Sequence, residues 1–200
     1  MNVYPESMEL LIEEYRKLPG IGRKTAQRLA MYTVESSKDQ INNTIEVLEN
    51  VRDKIKRCPI CNNITDQEIC DICSDPNRDS RVLCVVEDIS NLIAIENSNS
   101  YNGKYYVLKG LVSPSKGLGP EEVGIEDMIN KIGSDVEEII LAISPTVDGE
   151  TTMLLISELL KDRKIEISRI ASGIPIGGNL EYFDDVTLAK AIEDRRKLGY

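Results

Sequence analysis

The stretch C58-P-I-C-N-N-I-T-D-Q-E-I-C-D-I-C-S-D-P-N-R-D-S-R-V-L-C-V-V-E87 decides how this chain is read. Its first part holds two Cys-x2-Cys knuckles, Cys58/Cys61 and Cys70/Cys73, with eight residues between them. Two such knuckles supply the four soft ligands that a tetrahedral zinc ion requires, at about 2.3 Å each. Its second part, 82–86, is an apolar run that ends on Glu87. Such a run, bounded by turn residues, predicts a buried strand with an acid at its carboxyl end. A metal-built module thus passes directly into an α/β sheet.

Composition narrows the rest. The 200 residues suit one large domain or a few small ones, and 41% apolar content is enough for a core. There is no Trp and a single Phe, so Ile, Leu and Val must build that core. No apolar stretch reaches the roughly 18 residues of a membrane span. The first residues, MNVYPE, have neither the basic start nor the apolar run of a secretory signal. The expectation is a cytoplasmic protein, where thiols stay reduced and paired cysteines point to metal over disulfides. Cys84, the fifth cysteine, lies inside an apolar run and reads as a small core residue. The chain has no His, which excludes Ser-His-Asp, Cys-His and HExxH chemistry.

The net charge is −10, and it is unevenly spread. Residues 1–57 carry 10 basic and 9 acidic side chains, and residues 58–200 carry 14 and 25. A near-neutral front half can grip nucleic acid locally, while the acidic half suits a metal or a basic protein partner.

Upstream of the cysteines, apolar spacing predicts three helices, over 7–18, 23–34 and 39–56. In the third, Ile41, Ile45, Leu48, Val51 and Ile55 share one face. Between the first two lies L18-P-G-I-G-R-K-T-A26, the form of a helix-hairpin-helix turn. Gly20 and Gly22 allow a tight turn and close approach of a ligand to the backbone. The next helix then aims free N–H groups at an anion. Lys24 and Arg28, one turn apart, can reach flanking phosphates. Such a turn reads backbone and not bases, so it predicts sequence-independent DNA binding.

Downstream, strands are expected over 81–86, 105–108, 138–143 and 165–170. Helices are expected over 89–96, 125–132, 151–162 and 187–197. The alternation indicates a mostly parallel sheet flanked by helices. Residues 109–124, rich in Gly and Pro, read as a long surface loop. Glu87, Asp148 and Glu150 fall at the carboxyl edge of the sheet, where ligands bind in such folds. Three carboxylates there are candidate Mg²⁺ ligands, or a docking patch for a basic partner. They equally suit capping, since acids favour the start of a helix. The Gly-rich turn over 172–179 invites a nucleotide-loop reading, but no Gly-x4-Gly-Lys-[Ser/Thr] occurs.

Taken together, the segments LPGIGRKTAQRLA (18–30), CPICNNITDQEICDICSDPNRD (58–79), VLCVVED (82–88), YVLKGLVSPSKGLGPEEVGIEDM (106–128), SPTVDGETT (144–152) and SRIASGIPIGGNLEYFDDVTLAKAI (168–192) resemble the RecR family of recombination mediators. The likeness covers nearly the whole chain. It implies a helix-hairpin-helix domain over 1–57, a four-cysteine zinc finger over 58–73 and a Toprim domain over 81–177. A C-terminal segment over 178–200, with a helix and a degenerate Walker B-like element, would contact another subunit. It further implies a non-catalytic clamp of four subunits, nucleoid-associated, acting on gapped DNA. Its partners would be RecO and RecF, and its result the loading of RecA. By the resemblance, Gly20, Gly22, Lys24 and Arg28 face DNA, Cys58, Cys61, Cys70 and Cys73 hold structural zinc, and Glu87, Asp148 and Glu150 are the Toprim acids. One departure stands out: the usual Asp-x-Asp is here Asp148-Gly149-Glu150. It weakens the alternative of a Mg²⁺-dependent enzyme acting on DNA phosphodiesters, as does the lack of a nucleophile placed by any motif.

Overall fold

The computed structural model describes residues 4–171 and 173–195. The chain divides into two compact units, Met1–Ile55 and Lys56–Tyr200.

The first unit is helical. α1 (Glu6–Arg16) and α2 (Arg23–Glu35) pack against each other. Met8 and Ile12 on α1 meet Ala26 and Ala30 on α2, and all four are buried. Each pair is spaced four residues apart, so each forms one stripe on its helix. The two alanines have so little side chain that the backbones can approach closely. At the margin the Tyr15 and Thr33 hydroxyls hydrogen-bond at 2.8 Å. α3 (Lys38–Lys54) starts at a capping box, in which Ser37 and Gln40 satisfy each other's backbone N–H. None of its residues is buried, and Ile45, Leu48 and Val51 on the predicted apolar face are about half to two-thirds exposed. The periodicity is real, but α1 and α2 already close the small core around Ala26 and Ala30.

The second unit begins with the cysteine module. β1 (Lys56–Arg57) and β2 (Ile64–Thr65) pair antiparallel around the first knuckle, and α4 (Asp71–Ser74) carries the second. The third helix therefore ends before Lys56, because residues 56–57 go into this small ribbon. Then follow β3 (Asp79–Val86), α5 (Ile89–Asn97), β4 (Gly103–Val107), α6 (Ile125–Lys131), β5 (Glu138–Ala142), α7 (Val147–Leu160), β6 (Glu166–Arg169) and α8 (Asp185–Glu193). The sheet order is β4-β3-β5-β6 with every pairing parallel. β3 is central and buried on both faces. Val85 joins a core with Tyr106, Ile139, Leu141 and Ile156, whereas Cys84 and Val86 join Leu92, Tyr105 and Val107 on the other side. This is the period-2 alternation of a strand covered twice.

Three expectations need correction. α7 starts at Val147, four residues before the expected 151, because Thr146 caps it by accepting from Gly149 N at 3.1 Å. Asp148 and Glu150 thus lie in the first helical turn. Residues 109–124 are not simply a surface loop, since Val112 and Val123 are buried in the larger core. Val112 N donates to Thr152 Oγ1 at 2.9 Å, which pins the segment to α7. α8 ends at Glu193; the expected helix ran to 197, and residues 196 and 197 lie outside the described residues.

Candidate metal centre and nucleic-acid interface

The four cysteine sulfurs all lie within 4.8 Å of one another, with Cys61 and Cys70 Sγ 3.4 Å apart. Four ligands at about 2.3 Å around zinc would place sulfurs somewhat under 4 Å apart, so the set fits the ion with small shifts of the side chains. Cys58, Cys61 and Cys70 are buried and Cys73 partly so. Local backbone builds each knuckle. Asn62 N donates back to Cys58 O, and Asn62 takes the left-handed conformation (φ 62°), which Asn tolerates better than most residues. On the second knuckle, Cys73 and Ser74 N both bond to Cys70 O. Four protein ligands leave no open position, so the centre is structural. Cys84 stands apart: burial alone pushes its thiol up to about 12, which leaves it protonated and inert.

The hairpin turn is shaped as its glycines suggest. Gly20 has φ +75°, the left-handed region where a side chain is strained. Gly22 is extended and caps α2 without any side-chain acceptor. The first turn of α2 carries no acid and instead presents Arg23 and Lys24. Cations at the positive end of a helix dipole oppose its stability, so this arrangement favours an incoming anion. Arg23 is partly engaged by Glu9 at 3.5 Å. Lys24 and Arg28 are exposed on one face, and neither has an ion-pair partner among the described residues.

The three acids are placed differently. The chain runs from β3 to one side of the sheet and later returns to its other side. The crevice of this topological switch therefore opens between the ends of β3 and β5. Glu87 stands there, half-buried, and its carboxylate accepts from Ser144 N at 3.2 Å and Ser144 Oγ at 2.9 Å. Asp148 lies 3.7 Å from Lys116, and Glu150 accepts from Arg169 at 3.1 Å. Arg169 in turn reaches Asp194, just past α8, at 3.6 Å. Each acid thus answers to a different group of its own chain. Among the described residues, the three carboxylates do not gather as the cysteines do. Beside Glu87, a cleft of about 470 Å³ is lined by Arg57, Asp88, Lys109 and Leu111, among others.

Sequence reasoning passed over Ser144, Asn62 and Lys104. Lys104 left one trace, as a lone charge beside the apolar run of β4. Among the described residues, no helix is long and apolar enough to cross a membrane.

Four family models match consecutive parts of the chain. Residues 8–52 match the RecR helix-hairpin-helix, 55–75 the RecR four-cysteine zinc finger domain, 81–171 the Toprim domain and 173–196 the RecR C-terminal region.

Proposed function

The chain belongs to the RecR family, and on that footing we propose that it is a non-catalytic DNA-binding clamp of recombinational repair. The observation that carries the reading is the start of α2. An uncapped helix end behind Gly20-Ile21-Gly22, with Lys24 and Arg28 exposed one turn apart, is an anion site built at a cost to helix stability. The repeating anion it suits is a phosphate backbone, taken without regard to sequence.

The double variant Lys24→Ala/Arg28→Ala is expected to bind every DNA sequence more weakly. The slope of log K against log salt is expected to fall by about 2, the value for two lost phosphate contacts. A salt titration on gapped DNA checks this, and an unchanged slope would remove these residues from the interface. The same samples, stripped of protein, read the covalent state of the DNA. Intact strands with Mg²⁺ present accord with a clamp. Nicked or relaxed strands that depend on Glu87 would make the chain an enzyme.

Assembly into a ring of four subunits accords with apolar surface left open towards both ends of the chain. α3 offers Ile45, Leu48 and Val51, and the C-terminal segment offers Tyr182, Val186 and Ile192. Glu87, Asp148 and Glu150 suit contact with a basic protein better than they suit Mg²⁺, because a partner's cations can replace Lys116 and Arg169 one at a time. RecO is the partner that family membership suggests, with RecF beside it and RecA loading at gaps on the nucleoid as the outcome.

A further inference from the structure

Both zinc knuckles hang from a single strand. At one end of β4, Val107 N donates to Cys61 O at 2.8 Å, and Asn62 Nδ2 donates to Val107 O at 2.7 Å. At the other end, Lys104 Nζ donates to the carbonyls of Ile72 at 2.8 Å, Cys73 at 3.1 Å and Asp75 at 2.8 Å. All three carbonyls belong to the short helix that carries the fourth ligand and to the residue that follows it. An ammonium has three hydrogens, and here each has an acceptor. No carboxylate among the described residues lies within ion-pair distance of this ammonium.

We propose that Lys104 is the positioning residue of the zinc centre. Its ammonium holds the Cys70/Cys73 knuckle in the conformation that presents Cys73, and its unpaired charge offsets the net −2 of zinc bound by four thiolates. Groups that orient metal ligands from outside the coordination sphere commonly set affinity by 10–100-fold. Lys104 does so through main-chain carbonyls. The carbonyls at the end of so short a helix have no partner within the helix, so without Lys104 the knuckle has to close against water instead.

The test is zinc affinity in the full chain, by competition with a chromophoric chelator, together with the rate of zinc release. Lys104→Met keeps the apolar stem and removes the donors and the charge. Its zinc affinity is expected to fall about 10–100-fold, with correspondingly faster release. Lys104→Arg restores the charge, but a planar fork cannot aim at three carbonyls that converge on one point. It is expected to recover part of the affinity and not all of it. A Lys104→Met protein that binds and releases zinc within twofold of wild type would overturn the proposal. If that variant does not fold, Lys104→Arg decides: several-fold weaker zinc binding with a native circular dichroism spectrum supports the role, and unchanged binding refutes it.

Discussion

Cys61→Ala is expected to lower the melting temperature by about 10 °C or more and to abolish protection from amide exchange across residues 56–75. Cys61 is fully buried, and the local core consists of Cys58, Cys61 and Cys70 with Ile72 and Cys73 against them. The ligands are almost the whole of that core. Replacing one leaves three cysteines that cannot complete a tetrahedral zinc site and no apolar mass to collapse instead. Structural zinc is worth about 10–16 kcal/mol in isolated finger peptides. Even a loss of about 4 kcal/mol would give this shift at roughly 2–4 °C per kcal/mol for a chain of this size. The damage is expected to spread into β4, because Cys61 O accepts from Val107 N and Lys104 holds the other knuckle. A zinc chelator added to the wild type should reproduce the effect. Thermal unfolding by circular dichroism, with exchange mapped by segment, measures both, and equal stability of variant and wild type would contradict a structural centre.

Gly149→Ala is expected to cost about 3 kcal/mol, from steric collision alone. A Cβ at this position would sit 2.0 Å from Ser144 O and 3.2 Å from Ile143 Cγ2. The first of these is backbone and cannot rotate away. Nor can Ser144 shift cheaply, since its N–H and hydroxyl both hold Glu87 across the crevice. The same substitution at Gly22 is the control: a Cβ there meets nothing within 4 Å, and the cost should stay under about 1 kcal/mol, that of Ala in place of Gly at an N-cap. Urea unfolding of both variants separates the cases. A Gly149→Ala protein as stable as wild type would mean that the β5–α7 turn can open, and that Glu87 is not firmly held.

Much of this was legible in advance because it is local. A Cys-x2-Cys spacing closes on itself whatever surrounds it. A Pro-Gly-Ile-Gly run turns because Gly20 can take a positive φ. Apolar runs bounded by turns became β3, β5 and β6 within two residues of their expected ends. α7 starts earlier than expected because Thr146 caps it directly after Pro145, which places Gly149 inside the first helical turn. Val112 and Val123 were hidden among glycines and prolines, in a segment whose burial comes from the adjoining α6 and the distant α7 rather than from its own pattern.

By itself, then, the sequence determined the zinc ligand set, the glycine turn of the helical hairpin and the parallel α/β class. Each follows from residue spacing and backbone geometry over a few consecutive positions. Only the tertiary structure decided what the acids face, with Glu87 meeting a serine 57 residues away and Asp148 and Glu150 meeting separate cations. It likewise decided that the apolar stripe of α3 stays open and that Lys104 reaches carbonyls about 30 residues upstream. Such pairings depend on how whole elements stack, and a side chain's nearest neighbours across a core are not encoded in the period of its own strand or helix.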